Sequence, residues 1–110
     1  MVETNVHEVM SQIPEQFNAE KAQGVTAVIQ CQFSGSQGSD WIIVIEAQQC
    51  QVKEGIAVDP DLTIKADAVD GARILSGKMD AMRAYMLGKI KVFGDLSLGM
   101  KLPGLFDDHR

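Results

Sequence analysis

The side chains that most often act as nucleophiles or bases are few in this chain and widely spaced. The two histidines are His7 and His109, and neither has a partner at the spacing of a catalytic pair or a metal cluster. The two cysteines, Cys31 and Cys50, fall in strand-like apolar segments, where a thiol without an activating neighbour is inert. The sequence therefore predicts no catalytic residue, no metal site and no cofactor, and it favours a protein that is not an enzyme.

Two Gly-Lys pairs, Gly77-Lys78 and Gly88-Lys89, are superficially similar to the end of a phosphate-binding loop. Neither pair is followed by Ser or Thr, and neither has a glycine at the required upstream position. Gly88 is instead predicted to end a helix, because a positive φ angle is favourable there only without a Cβ. Lys89 and Lys91 are expected to face solvent, and contact with a lipid headgroup is the alternative.

Composition and charge exclude several classes of partner. The chain carries 15 acidic and 10 basic side chains, a net charge of −5, so it lacks the positive surface that nucleic acids require. The same charge weakens attraction to anionic membranes, so at most transient membrane contact is expected. No apolar run approaches the roughly 18 residues of a membrane span, and the first residues lack the pattern of a secretory signal. The expected location is the cytoplasm, with reduced cysteines.

Apolar periodicity predicts the order of the secondary structure elements. The spacing over residues 6–17 predicts a helix that stops or bends at Pro14. Alternation predicts strands at residues 25–33, 41–47, 50–52, 62–66 and 90–92. Helices are expected over residues 67–77 and 80–88, and from residue 95 to a stop at Pro103-Gly104. This order predicts one α+β domain over residues 1–110, with helices covering a sheet.

The connection between the first two strands predicts their pairing. Residues 34–40 are rich in glycine and serine, which favours an antiparallel hairpin. If the third strand continues this meander, the second strand separates Cys31 from Cys50. No disulfide is therefore expected.

Three segments resemble the sterol carrier protein 2 (SCP-2-like) family. Residues 84–95 (AYMLGKIKVFGD) are similar to the family's AF-x-x-GK-[LI]-K-[VI]-x-G signature, with Tyr85 where phenylalanine is common. Residues 75–80 (LSGKMD) and 17–22 (FNAEKA) resemble two further family passages. The resemblance implies a five-stranded mixed, mostly antiparallel sheet covered by helices, enclosing a hydrophobic tunnel for fatty acids, acyl-CoA, sterols or other lipids.

Two features depart from the family pattern. Peroxisomal members end in a small-basic-Leu tripeptide, whereas this sequence ends Asp-Asp-His-Arg, so peroxisomal import is not expected. Animal members that dock on membranes are associated with a basic first helix. The corresponding helix here carries Glu3, Glu8 and Glu15, and no Lys or Arg precedes Lys21.

Methionine and the last helix carry the functional prediction. Leu75, Met79, Met82 and Met86 recur at spacings of four, three and four, and such adaptable side chains suit a pocket for a flexible ligand. The last helix is apolar on too many sides for a simple surface helix. It is expected to act as a lid on the cavity, and dimerisation through its apolar surface is the alternative.

The sequence thus predicts non-catalytic binding or carriage of an apolar lipid. The alternative is an accessory domain that presents a hydrophobic intermediate to a partner enzyme. The residues expected to contact the lipid are Phe33, Ile43, Ile45, Leu75, Met82, Tyr85, Met86, Phe93, Leu96 and Met100.

Overall fold

The computed structural model describes residues 5–36 and 38–106. Four helices and five strands lie in this part of the chain. In sequence order they are α1 (Val6–Gln16), β1 (Ala27–Ser34), β2 (Asp40–Glu46), β3 (Gln49–Glu54), β4 (Leu62–Asp67), α2 (Ala68–Leu75), α3 (Ala81–Met86), β5 (Ile90–Gly94) and α4 (Leu96–Leu105). His109 and the C-terminal Asp-Asp-His-Arg lie outside the described residues.

The strands form one sheet in the order β3-β2-β1-β4-β5. The β1–β2, β2–β3 and β4–β5 pairs are antiparallel, whereas β1 and β4 are parallel. The expected α+β fold with a mixed, mostly antiparallel sheet is therefore confirmed. Cys31 on β1 and Cys50 on β3 are separated by β2, and both are free thiols, as the meander predicted.

Alternation along each strand gives the sheet two different faces. The covered face packs against the helices, and the outer face lies on the opposite side. The covered face carries Ala27, Ile29, Cys31 and Phe33 of β1, Trp41, Ile43 and Ile45 of β2, Cys50 and Val52 of β3, Leu62, Ile64 and Ala66 of β4, and Ile90 and Val92 of β5. Together with the buried stripe of α1, these residues form the core.

The helices begin and end close to the positions predicted from the sequence. Asn5 caps α1 by accepting from the Glu8 amide at 2.8 Å, and α1 ends at Gln16, two residues after Pro14. Asp67 caps α2 by accepting from the Val69 and Asp70 amides. Gly77 and Gly88 adopt the positive φ angles of +83° and +77° that favour glycine after a helix.

The predicted stop at Pro103-Gly104 is wrong, because α4 continues through both residues to Leu105. Contacts beyond the proline hold the last turn. Leu105 is buried, and its carbonyl accepts from the Asn18 amide at 2.7 Å. The Phe106 ring packs against Phe17, with centroids 5.6 Å apart. Tertiary packing here overrides the local cost of proline within a helix.

The segment from 55 to 61 connects β3 at one edge of the sheet to β4 beyond β1, and it crosses the outer face. Gln30 on β1 fixes this crossover. Its Nε2 donates to the carbonyls of Trp41 and Gly55 at 3.1 and 3.0 Å, and its Oε1 accepts from the Ala57 amide at 2.6 Å. At the end of the crossover, Asp61 Oδ2 accepts from the Val28 amide at 2.8 Å. Gln30 is the one buried polar side chain among the described residues.

Replacing Gln30 by leucine is expected to lower the free energy of unfolding by about 3 kcal/mol, because one buried and two partly buried backbone groups lose their partner while the side-chain volume is kept. Urea denaturation followed by circular dichroism measures this loss. Gln32→Leu, two residues along the same face and half-buried, is the control and should change the value by less than about 0.5 kcal/mol. Equal losses in the two variants would contradict the role assigned to the Gln30 hydrogen bonds.

Candidate functional site

The covered face is closed over the middle of the sheet and opens toward β5. Ile29 of β1 and Ile45 of β2 are fully buried. Ile64 of β4, and Ile90 and Val92 of β5, are only partly buried, although they belong to the same face. Large aliphatic side chains are thus left partly accessible at this end of the covered face.

Two parts of the helical layer frame this opening. At one end α2 lies directly on β1, because Gly71 sits against the Phe33 ring, where a Cβ would overlap the ring carbons. At the other end α4 begins beside β4, with the Asp95 amide donating to the Asp61 carbonyl at 2.9 Å. Gly99 of α4 approaches closely enough that an added Cβ would be 3.6 Å from Val92. We call the surface of Ile64, Ile90 and Val92 between these contacts the β4–β5 strip.

Four of the ten predicted lipid contacts lie in or against the core. Phe33, Ile43 and Ile45 are buried on the covered face, and Leu75 is half-buried at the end of α2 and packs against the core. The structure brings these four together on the covered side of the sheet. The first three are already packed by other protein groups, whereas Leu75 also retains an accessible surface.

Three predicted contacts lie on α3 and face away from the sheet. Ala84 is fully buried and marks the side of α3 that packs on the protein. Met82 and Met86 lie on the opposite side of this helix and are 51% and 73% exposed, and Tyr85, on its flank, is 48% exposed. Since α2 ends at Leu75 and α3 starts only at Ala81, the methionine spacing does not form one continuous helical stripe.

Phe93 is separated from the other aromatic contact, Phe33. Val92 lies on the covered face, so its neighbour Phe93 lies on the outer face. The Nζ of Lys65, another outer-face residue, lies 5.3 Å from the centre of the Phe93 ring. The period of two along β5 therefore places Phe93 on the opposite face of the sheet from Phe33, and its contact with a lipid stays a prediction.

Leu96 and Met100 lie one turn apart on α4 and are both largely exposed. They lie next to Gly99 on the helix surface, on the side opposite to buried Leu98 and Leu105. The last helix is therefore apolar on two sides, one packed in the core and one accessible.

The prediction from the sequence missed Ile64, Ile90 and Val92 as candidate contacts. The alternation over residues 62–66 and 90–92 already placed these side chains on one face of the sheet. The strand order could not be predicted from the sequence. In the structure β5 lies at an edge of the sheet, and this part of the face is incompletely covered.

Two grooves at the strand ends contain charged side chains, and the larger one is also lined by Phe33 and Ala66. One open groove of about 470 Å³ lies where β1 and β4 end and β5 begins, and its charged lining residues are Asp40, Lys65, Asp67, Lys89 and Lys91. A second groove of about 220 Å³ is lined at the other end by residues that include Asp61, Asp95 and Lys101. Neither groove is the enclosed hydrophobic tunnel that the family resemblance implies.

The side chains that could act as metal ligands or nucleophiles are dispersed or buried in the described part of the chain. Within residues 5–36 and 38–106, no group of three or more His, Cys, Asp or Glu side chains could hold a metal ion. The His7 ring lies edge-on to Trp41, with centroids 5.4 Å apart. Burial raises the pKa of the Cys31 thiol to about 12 and that of Cys50 to about 11, which suppresses the reactive thiolate of each. None of the helices in this part is long and apolar enough to traverse a bilayer.

Comparison with known proteins identifies the family. The model of the SCP-2 sterol transfer family matches residues 7–107. The chain belongs to this family. The resemblance recognised in residues 75–80 and 84–95 is thereby confirmed.

The relatives place this family domain in different contexts. Hydroxysteroid dehydrogenase-like protein 2 of Rattus norvegicus is 28% identical over 101 residues, which cover 91% of this chain and 19% of that protein. The chain thus spans about a fifth of the length of this relative, and the match concerns its SCP-2 part alone.

Solved structures with the same fold include both a short and a long protein. Palmitated SCP2L2 from Aedes aegypti is 25% identical, with a TM-score of 0.75 over 96% of this chain and 97% of that one. The sec-alkylsulfatase Pisa1 from Pseudomonas sp. has a TM-score of 0.79 at 19% identity, covering 94% of this chain and 16% of that one. At such identity the second similarity concerns the fold alone.

The two thiols are expected to be nearly unreactive in the folded protein. With pKa values of about 12 and 11, roughly one Cys31 in ten thousand and one Cys50 in a thousand is ionised at about pH 8. Reaction with a disulfide reagent should accelerate as the pH rises toward these values, and Cys50 should react first because it is only half-buried.

Absorbance of the released thiolate measures this reaction, and Cys31→Ser and Cys50→Ser assign each phase. In guanidinium the two cysteines should react at similar rates, because unfolding removes the burial of both. Rapid modification of Cys31 in the native protein near neutral pH would contradict its assignment to the closed part of the core.

Proposed function

We propose that this chain binds the hydrocarbon part of a lipid, without catalysis, on the β4–β5 strip. The observation that carries the proposal is the partial exposure of three neighbouring large aliphatic side chains, Ile64, Ile90 and Val92, on a face whose middle is fully buried. A ligand with a hydrocarbon chain would complete the covering of this face. Membership of the SCP-2 family and the similarity to a palmitated relative support this ligand class.

Leu75, Leu96 and Met100 are proposed to border the bound chain. Leu75 packs against the core at the end of α2, and the other two lie beside Gly99, where an added Cβ would be 3.6 Å from Val92. Movement of the accessible side of α4 toward the strip would make this helix the lid expected from the sequence. Phe33, Ile43 and Ile45 would then support the floor from within the core instead of meeting the ligand.

The expected affinity follows from the area that a hydrocarbon chain can bury. Each methylene transferred from water is worth about 0.8 kcal/mol, so a dozen give about 10 kcal/mol before the costs of association and ordering. After the lowest association cost of about 4 kcal/mol the net is about 6 kcal/mol, which corresponds to a dissociation constant of about 40 μM. No polar catalytic group is required for this function.

A second candidate function is the presentation of a hydrophobic intermediate to a partner enzyme. It is favoured by the occurrence of the matching region within longer proteins, including a dehydrogenase-like protein. Under this alternative the strip would hold its ligand only in passage. Co-purification of a stoichiometric partner with an empty lipid site would support it over simple carriage.

The remaining parts of the proposal concern the state of the protein. The chain is proposed to act as one domain over residues 1–110 in the cytoplasm, which suits its two free thiols. Dimerisation through Leu96 and Met100 would bury the same side of α4 that the lid requires. Concentration-dependent mass measurements with and without lipid separate these two uses of the helix.

Replacing Ile90 by glutamate is expected to weaken the binding of a fluorescent fatty acid by at least about 30-fold, because a carboxylate would enter an apolar site. Displacement of the probe by palmitate measures the affinity. Phe93→Glu is the matched control: the same charge is introduced on the same strand but on the outer face. Its affinity should stay within about threefold of the wild type, since it lies outside the proposed site.

Circular dichroism spectra must remain native-like in both variants for the comparison to hold. Weaker binding in Phe93→Glu with normal binding in Ile90→Glu would place the ligand on the outer face and overturn the proposed site. Failure of the wild-type protein to bind any hydrocarbon probe would overturn the function itself. Native mass spectrometry of the purified protein, followed by lipid extraction, would identify the class of a co-purified ligand.

A further inference from the structure

Three lysines lie around one groove on the outer face, at the end of the sheet where β1 and β4 end. Lys65 of β4 is the direct neighbour of Lys91 of β5 in the antiparallel pair. Lys89, two residues before Lys91, belongs to the same face. All three line the larger groove, which has a volume of about 470 Å³. An acidic protein with ten basic side chains thus places three of them at one site.

The direct opposition of two lysines is unfavourable for the sheet alone. Directly opposite side chains of an antiparallel pair have Cβ atoms about 4.5–5.5 Å apart, and like charges at this separation repel. The Lys65 ammonium lies 5.3 Å from the centre of the Phe93 ring, which attracts a cation but does not neutralise it. Lysine on an edge strand prevents pairing with other sheets. This explains Lys91 on β5 but not Lys65, since β4 lies inside the sheet.

The two carboxylates that line the groove do not compensate the lysine pair. Asp40 is the neighbour of Gln32 across β1 and β2, and Gln32 is the neighbour of Lys65 across β1 and β4. Asp40 is thus two strands, or about 10 Å, from Lys65 and farther still from Lys91. Asp67 caps α2, where its Oδ2 accepts from two backbone amides at 2.9 and 3.3 Å. The positive charge of the pair is therefore left for a ligand.

Neutral polar side chains complete this part of the groove. Gln32 and Ser34 of β1 both line it, and they are the neighbours of Lys65 and Asp67 across the parallel pair. A side-chain amide and a hydroxyl can each donate a hydrogen bond to an anion. The groove thus combines three cationic donors with two neutral ones.

We propose that this groove binds a soluble di- or polyphosphate anion. An ammonium group is a compact charge with three N–H donors, which can reach different oxygens of a tetrahedral phosphate. One phosphate between Lys65 and Lys91 would replace their repulsion by two attractions, and Lys89 would contact a second phosphate. A single carboxylate would compensate only one of the three positive charges.

A phosphate at the surface of a bilayer fits this groove less well than a soluble one. Asp59 of the crossover and Glu46 at the end of β2 lie on the same side of the sheet, and both are exposed. An anionic bilayer against this face would bring their carboxylates toward the lipid phosphates. A soluble anion meets the groove alone. The site lies across the sheet from the β4–β5 strip, so the proposal does not rest on lipid binding.

The first test is a titration of the full, isotopically labelled chain with sodium pyrophosphate at low salt, followed by the NMR shifts of the backbone amides. Saturable binding is expected, with a dissociation constant of about a millimolar or tighter. Binding should weaken as sodium chloride is added, because the charges are exposed. The largest shifts are expected at Gln32, Lys65 and Lys91. Largest shifts on α3 or α4, or no saturable binding, would overturn the proposal.

Neutralising the opposed lysines tests their part in binding. Lys65→Gln/Lys91→Gln is expected to weaken pyrophosphate binding by at least about tenfold, because both charged donors of the pair are lost. The control Lys21→Gln/Lys53→Gln makes the same change in net charge away from the groove and should stay within about twofold. Equal losses in the two variants would indicate a response to net charge alone and would overturn the assigned site.

Thermal unfolding separates a binding role of the lysines from a structural one. Without the anion, Lys91→Gln is expected to unfold at the same or a higher temperature than the wild type, because a repulsion is removed. Pyrophosphate is expected to raise the unfolding temperature of the wild type but not that of Lys65→Gln/Lys91→Gln. A less stable Lys91→Gln, together with no response of the wild type to pyrophosphate, would assign the lysines to the sheet and overturn the proposal.

Vesicles that contain phosphatidic acid distinguish the two sources of phosphate. Pyrophosphate binding by a chain that does not float with these vesicles would support the soluble ligand. Flotation that is lost in Lys65→Gln/Lys91→Gln, without any binding of pyrophosphate, would assign the groove to a lipid headgroup and overturn the proposal.

Discussion

The parallel pairing of β1 with β4 is the constraint on which the arrangement of this protein depends. It requires the chain to leave β3 at one edge, cross the outer face and enter the sheet on the far side of β1. The crossover brings backbone polar groups onto the sheet, and Gln30 and Asp61 satisfy several of them. Burial of one glutamine is thus the consequence of a topology that places β4 inside the sheet and β5 at its edge.

The edge position of β5 explains why the covered face is open where it is. Asp67 is both the last residue of β4 and the cap of α2, so this helix returns at once over β1 and β4. The end of the sheet at β5 receives only the short α3 and the part of α4 around Gly99. These two contacts leave Ile64, Ile90 and Val92 partly uncovered.

Local rules predicted most of the elements, but not how they are arranged around the site. Alternation gave the strands, and Asp67, Asp80, Gly77 and Gly88 marked helix ends through backbone chemistry that acts within a few residues. The order of strands depends on contacts between distant segments, so the open edge at β5 was not predictable from spacing. The outer-face position of Phe93 was predictable, because outward-facing Lys89 and Lys91 already place it on their side of the strand. Pro103 was misjudged because the packing of Leu105 and Phe106 lies outside any local rule.

The structure separates the two kinds of exposed apolar surface that the sequence left combined. The β4–β5 strip is partly covered, so a hydrocarbon chain there would meet protein as well as solvent. Met82 and Met86 project from α3, where a single ligand molecule would gain little burial. Strand β5 belongs to the strip on one face only, because its period of two directs Ile90 to the strip and the lysines on either side of it to the outer face. The proposed lipid site therefore uses one face of β5 and leaves the exposed residues of α3 outside it.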